Sequence, residues 1–349
     1  MREDTFHTID PLTDSRWDRL LTTHPDASIF HHSGWLRALA ETYGFRPMVL
    51  TNAADAGDLS NGIAFCEVRS WITGARLVSL PFSDHCEPLL NGDEGAAELG
   101  KWIESESARK RWRYVELRPL RDKFSTAHQM TSGKSFWFHV LDLEPPLNRI
   151  FSDLHKDSLQ RRIRRAEREG LGYARGCSED LLEEFYRLLI LTRMRHGLPP
   201  QPRSWFRNVV KFLRPHVQLR IARKDGQPIA ALFTLVYKDT AVYKYGCSDQ
   251  RFHNLAGMPF LFWKLIEESK AEGVRQLDFG RTDKENSGLT RFKDQFGTER
   301  RELVYLDTRA SARKAAHSGP YMDTAQRLFS FLPTRLTSPL GALLYRHIA

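Results

Sequence analysis

An internal repeat constrains this chain more than any other feature. From residue 33 the sequence runs SGWLRALAETYGFRP, MVLTN, GIAFCEVRSW, ARLVSLPFSD, LGKWIESESARKR and YVELRP. From residue 203 it runs RSWFRNVVKFLRP, VQLRIARKDG, PIAALFTLVYKD, TAVYKYGCSD, MPFLFWKLIEESKAEG and QLDFGRT. Each series reads as helix, three strands, helix, strand, because stretches with helical apolar spacing flank runs of β-branched and aromatic residues. Matched positions stay nearly in step: Trp35 with Trp205, Ile63 with Ile229, Asp84 with Asp249, Val115 with Leu277. One supersecondary unit used twice is the simplest account, and it predicts an α/β (α+β) chain with mixed sheets flanked by helices.

The second copy carries the clearer local signals. KDGQP supplies turn chemistry between two strands, and Gly273 stands one step past the end of a helix, where a left-handed residue is needed. Ser178 is placed to cap a helix whose Leu181, Leu182, Phe185, Leu188, Leu189 and Thr192 share one face. After the repeat come a short helix in LTRFKDQFG and a strand in RRELVYL. Between the copies, Leu159, Ile163 and Ala166 form a narrow apolar stripe on a helix whose remaining surface is arginine, closed by Gly170. The last 39 residues repeat nothing, and Pro320, Pro333 and Pro339 divide them into short helical pieces. The expected domains are residues 1–147, 148–310 with the basic leading helix, and a helical tail at 311–349.

With 41% hydrophobic and 27% charged residues, the 349-residue chain is too apolar for disorder and too polar for a membrane bundle. No apolar run reaches the roughly 20 residues that span a bilayer, and MREDTFHTID lacks the apolar centre of a targeting signal, so a cytoplasmic protein is expected. Cys66, Cys86, Cys177 and Cys247 are far apart and lack paired histidines, so neither a disulfide framework nor a metal site is expected. The net charge is +9, from 52 basic and 43 acidic residues. Residues 155–168 hold six basic and two acidic side chains and residues 311–349 hold five and one, so eight of the nine net charges lie in two short segments. Those segments are where phosphate or anionic lipid would be met.

The order of elements in the second copy resembles the GNAT acyltransferase fold. The doubled arrangement with a basic helix ahead of the second copy resembles its FemAB-like branch, including CelD-like acyltransferases. The resemblance spans roughly residues 28–307 and rests on YGCSDQRFHNLAGMPFLFWKLIEES, LDFGRT, LTRFKDQFG and LHKDSLQRRIRRAEREGL. It implies two tandem GNAT-like domains, the first non-catalytic, since LPFSDH and VELRPL stand there in place of YGCSDQ and LDFGRT. It also implies an acyl-coenzyme A co-substrate, whose pyrophosphate such proteins cradle in a Q/R-x-x-G-x-G/A loop at a helix N-terminus. Here that loop reads Arg251-Phe252-His253-Asn254-Leu255-Ala256, followed by Gly257, with asparagine at the central glycine. Relatives resembling FemAB proteins use aminoacyl-tRNA instead.

Transfer of an acyl group to an amine needs a proton acceptor, an oxyanion donor and positive charge for an anionic acceptor. Tyr245, Asp249, Asp278 and Lys293 are the catalytic candidates, because open α/β sheets bind ligands beyond the carboxyl ends of their strands. Arg251, Asn254, Ala256 and Gly257 are the candidates for holding the donor. Lys156, Arg161, Arg164, Arg165 and Arg281 are the candidates for the acceptor, a small or lipid-linked anion carrying an amino group in a cell-envelope or polysaccharide precursor. Each has a plainer role open to it: Asp249 as a turn residue, Asp278 paired with Arg281, Lys293 exposed. Ser83-Asp84-His85-Cys86-Glu87 and His31-His32 look like site clusters but read as structural, since neighbours on an extended segment point in opposite directions. Two alternative functions stay open, an aminoacyl-tRNA-dependent transferase of the peptidoglycan-bridge type and a non-catalytic RNA- or tRNA-binding module. The tail either packs back on the domains or docks on the inner face of a membrane.

Overall fold

In the computed structural model, which describes residues 6–53, 57–90, 96–121, 130–309, 341 and 344–347, both copies of the repeat adopt one strand order. The first copy comprises β1 (His7–Ile9), α1 (Ser15–Thr23), α2 (Ser33–Tyr43), β2 (Arg46–Thr51), β3 (Ile63–Ser70), β4 (Gly74–Val78), α3 (Ala96–Lys110) and β5 (Val115–Leu117). Next come β6 (Thr131–Asp142), α4 (Leu147–Asp153) and α5 (Arg161–Arg168). The second copy comprises β7 (Gly172–Gly176), α6 (Glu179–Arg195), α7 (Arg203–Leu213), β8 (Val217–Lys224), β9 (Gln227–Tyr237), β10 (Thr240–Ser248), α8 (Gly257–Ala271) and β11 (Gln276–Asp283), followed by α9 (Ser287–Asp294) and β12 (Glu299–Asp307). Strands β1 to β4 pair antiparallel in sequence, and β4 pairs parallel with β5. Strands β7 to β10 do the same, and β10 pairs parallel with β11. The matched Trp35 and Trp205 are both fully buried.

Each sheet is closed by a strand that follows the other copy. Strand β6 pairs antiparallel with β11, and Leu306 and Asp307 of β12 pair antiparallel with β5. The two compact units are therefore discontinuous: residues 1–135 join 303–319 and 342–349, and residues 136–302 join 320–341. The contiguous cuts expected at 147/148 and 310/311 differ from this division at two strands, because β12 from Leu303 onward belongs to the first unit and β6 to the second. The sequence reading assigned no element to SGKSFWFHVLD, which is β6 and belongs to the second unit from Phe136 onward. Residues 310–340, most of the expected tail, lie outside the described residues.

Local chemistry explains the joints. Asp225 and Gly226 both have positive φ, 50° and 76°, which makes the β8–β9 connection the two-residue turn that suits strand twist. Gly273 follows the last residue of α8 at φ 80°, and Ser178 accepts from Leu181 N at 3.4 Å to cap α6. The first half of α8, Met258 to Trp263, is apolar and lies in the core of the second unit, where Phe262 stacks on Phe279 of β11 at 5.2 Å.

Strand β10 changes face midway. Its register with β9 shifts between Tyr243 and Tyr245. Residues two apart share a face in an unbroken strand, yet here Tyr243 packs on Phe262 of α8 while Tyr245 packs on Phe185 of α6 and Phe206 of α7. The parallel pairing with β11 ends just before this bulge, at Val242 and Asp278. Among the described residues the β10–β11 pairing does not continue past that point, and the two strands part toward the candidate site.

Candidate active site

A cavity of about 200 Å³ lies at the N-terminus of α8. After β10 the chain makes a 3₁₀ turn, Gln250–Leu255, and Ala256 then adopts left-handed geometry at φ 59° as the residue that starts α8. No side chain caps this helix, so its first amides and the positive end of its dipole remain for an anion. Ala256 and Gly257 line the cavity with Met258, Pro259, Ser158, Arg162, Ser248, His253, Phe292 and Gln295 among others. Gly257 allows close approach to the sheet, since a Cβ there would lie 3.0 Å from the Cβ of Ala230.

Two of the four residues expected to hold a donor lie elsewhere. Asn254 is exposed and not left-handed; the left-handed position has moved to Ala256. Arg251 is exposed and its guanidinium clamps Asp249, with Nε to both carboxylate oxygens at 3.1 and 3.0 Å and Nη2 to Oδ2 at 2.6 Å. Asp249 also accepts from Arg251 N, which makes it the cap of the 3₁₀ turn. The Arg251 hydrogen bonds hold the Asp249 carboxyl below the usual carboxylate range, a poor starting point for a proton acceptor near neutrality. The plainer reading of Asp249 as a turn residue describes its geometry.

The basic helix divides along the same lines. His155 caps a single π-turn, Lys156–Gln160, which runs into α5. Arg161 pairs with Asp157 at 2.8 Å, Arg165 lies 3.6 Å from Glu169, and Arg164 stacks over Phe151. Lys156 is exposed and is not part of the cavity wall. Arg162, which was not among the selected residues, lines the cavity and forms no ion pair with another described residue. The signal was present: Ser158, Leu159 and Arg162 lie three or four residues apart on one stripe. His253 completes this rim. Its Nε2 lies 2.9 Å from Ser248 Oγ and 3.4 Å from Arg195 Nη1, and burial with Arg195 and Arg162 nearby lowers its pKa, favouring the neutral ring.

The remaining catalytic candidates do not form one cluster. Tyr245 Oη accepts from Trp205 Nε1 at 3.0 Å within the aromatic group of Phe185, Phe206 and Phe233. Asp278 and Lys293 meet at one residue, Gly280. Asp278 Oδ1 accepts from Gly280 N at 2.6 Å, and Lys293 Nζ donates to Gly280 O at 2.9 Å and Arg281 O at 3.1 Å. Both side chains are buried, so the reading of Lys293 as an exposed lysine does not hold. Register places Asp278 opposite Val140 and beside Val242, and Arg281 stacks over Phe136 at 4.3 Å. Between Asp278 and Arg281 the β11–β6 ladder slips, with Gly280 at φ 70°, and the residue facing this bulge is His139.

His139 was missed because β6 was missed. It is fully buried, its Nε2 lies 3.2 Å from Asp294 Oδ1, and its Nδ1 has no partner. Burial and the charge of Lys293 lower its pKa, so the ring is held neutral beside the bulge.

Comparison with known proteins fits this geometry. Residues 155–294 match the family model described as acetyltransferase (GNAT) domain. No curated protein matches the sequence significantly. Among solved structures, FemX is similar over 88% of this chain and 98% of its own, with 12% identity and a TM-score of 0.67. L-PGS from Bacillus licheniformis covers 95% of this chain over 98% of its own, with 13% identity and a TM-score of 0.55. A tandem GNAT protein from the clavulanic acid biosynthesis pathway covers 88% of this chain over 99% of its own, with 12% identity and a TM-score of 0.54. At these identities the likeness concerns the fold.

Proposed function

We propose that this chain, whose residues 155–294 form a domain of the GNAT acetyltransferase family, transfers an acyl group from acyl-coenzyme A to an amino group of a cell-envelope or polysaccharide precursor. The observation that carries the reading is the uncapped N-terminus of α8, set in a cavity with Arg162 and beside the place where β10 and β11 part. The amides of Gly257 and Met258 with Arg162 would hold the donor's pyrophosphate. The backbone of β10 beyond Val242, past the end of its pairing with β11, would run along the donor's arm and lead its carbonyl into the opening between β10 and β11.

In that arrangement the acceptor nitrogen attacks the thioester carbon. The oxygen gains charge and then returns its electrons, the carbon–sulfur bond breaks, and the sulfur leaves as coenzyme A thiol after taking a proton. Asp278 is the proposed acceptor of the amine's proton. Lys293 positions it by holding the carbonyls of Gly280 and Arg281 while Asp278 holds the Gly280 amide, and Arg281, three residues on in the same strand, is the residue proposed to meet an anionic acceptor. The chemistry would take place on the cytoplasmic side, with a small or lipid-linked anion as acceptor.

Calorimetric titration with coenzyme A tests the donor. The parent should bind saturably, and Arg162→Ala should weaken binding roughly tenfold, the scale of one charge-assisted phosphate contact. Binding that ignores Arg162→Ala would remove the assignment. Aminoacyl-tRNA is the second reading, favoured by the exposed Arg162, Arg164, Arg165 and Arg168 beside the cavity. Charged tRNA that binds where coenzyme A does not, with a steep loss of affinity in salt, would establish it. Nucleic-acid binding without turnover would leave the non-catalytic module.

A further inference from the structure

The hairpin between β3 and β4 of the first unit carries the two most exposed large apolar side chains among the described residues. Trp71 is 86% exposed and Ile72 52% exposed, side by side at its tip. A soluble surface scatters such groups singly; a tryptophan and an isoleucine presented together on a tip lie outside that pattern. The tip is also built rigidly. Ser70 Oγ accepts from Ile72 N at 3.1 Å and Thr73 N at 2.9 Å, and Gly74 at φ 82° turns the chain back beneath Arg113.

Cationic groups surround it. Arg113 lies across Gly74 and donates to Thr73 O at 3.0 Å, with its charge in solvent. Arg69 and Arg46 are both exposed and share one carboxylate, Glu67, at 2.9 and 3.8 Å, and Glu67 is itself buried. The C-terminal turn ends at the same place. His347 Nδ1 lies 2.9 Å from Ser70 Oγ, its carbonyl accepts from Thr73 Oγ1 and Arg76 Nη2 at 3.0 Å, and its ring meets Trp71 edge-on. Arg346, exposed on that turn, adds a further charge. Residues 344–347 thus pack onto the first unit.

We infer that the β3–β4 hairpin is a membrane-docking tip, with Trp71 and Ile72 entering the interface of an anionic bilayer and Arg69, Arg113 and Arg346 meeting its headgroups. Charge complementarity selects this occupant. A protein partner would be expected to meet an apolar patch with a mixed polar rim, whereas here an aromatic and a branched apolar group stand in a rim of arginines, the pairing that suits a negatively charged water–lipid boundary. The inference concerns the first unit alone and does not depend on the transferase reading.

Sedimentation of the full chain with phosphatidylcholine vesicles, with and without phosphatidylglycerol, tests it. The parent should pellet with the anionic vesicles and remain in solution with the neutral ones. Trp71→Ser with Ile72→Ser should weaken partitioning roughly tenfold or more at an unchanged melting temperature, because both side chains are exposed in the free protein. Brominated acyl chains should quench the parent's tryptophan emission more than that of Trp71→Phe, which isolates this ring among the eight tryptophans. A parent that stays in solution, equal binding to neutral vesicles, or a double variant that binds as the parent does would each overturn the inference. The last outcome would move any membrane contact to the tail.

Discussion

Acidification from pH 6.5 to about 4 is expected to remove about 3 kcal/mol of folding stability through His31 alone. His31 is fully buried in the first unit. Its Nδ1 accepts from Ser28 N at 3.0 Å, which fixes the tautomer: Nε2 carries the hydrogen and donates to Glu87 O at 2.9 Å. A second proton on Nδ1 would face an N–H donor and lose that bond in a place without water. Burial accordingly drives the pKa down to about 4. Between that value and 6.5 the unfolded chain binds a proton that the folded chain refuses. Stability therefore rises with pH across this window, is complete above 6.5, and is lost as the pH falls through the folded value. His139, His196 and His253 are shifted in the same direction and steepen the slope. Urea unfolding measured across the window checks this, with His31→Gln as the comparison, since an amide can keep the bond to Glu87 without titrating. A slope identical in the two proteins would show that His31 is not held neutral.

The same residue shows how far the sequence could be read. His31-His32 and the Ser83–Glu87 stretch read as structural, and the contacts of His31, His32 and Cys86 are packing and capping contacts. His32 caps α2, His31 ties Ser28 to Glu87, and Cys86, 3.3 Å from His31, has its thiol pushed up to about 12 by burial, far from a nucleophile. Signals that act within a few residues were legible: Ser178 and Gly273 at helix ends, Asp225-Gly226 in a turn, the tryptophans that anchor both copies. What escaped depends on partners distant in sequence. Nothing near SGKSFWFHVLD says that it closes the sheet of the other copy, and without that strand His139 could not be found; nothing near RRELVYL says that it returns to β5, which is what makes the units discontinuous. The site shows a subtler failure. The loop before α8 carries residue types suited to an anion, yet Arg251 and Asp249 satisfy each other at a spacing of two residues. The arginines of α5 likewise separate by helical angle, Arg161 and Arg165 turning toward their own acids and Arg162 toward the cavity. Charge counted along a sequence does not say which charges are already spent on neighbours.

Replacing Lys293 by methionine should produce the largest loss from a single side chain in the second unit. Lys293 Nζ donates to the carbonyls of Gly280 and Arg281, at the one place where β11 departs from its ladder with β6. Methionine keeps the volume and removes the donors, so two carbonyls in a buried setting lose their partner, at a cost of about 2–4 kcal/mol. Loss of the buried charge returns part of its own desolvation, which keeps the estimate at the low end for such a site. The effect on turnover should exceed what stability alone would give. Gly280 is held from one side by Lys293 and from the other by Asp278, and its left-handed geometry at φ 70° is what lets the strand bulge there. With one hold gone the bulge at Gly280 can relax, Asp278 loses its fixed position, and on the proposed mechanism the rate should fall by roughly a hundredfold, the scale of an ångström's misplacement. Two measurements separate the claims. The urea midpoint should drop at an unchanged slope, which reports the lost hydrogen bonds. Coenzyme A affinity should fall less than in Arg162→Ala, because Lys293 does not line the cavity at the head of α8. A Lys293→Met protein as stable as its parent would mean that the two carbonyl bonds contribute nothing. One that is destabilised yet fully active at low temperature would remove the positioning role while leaving the structural one.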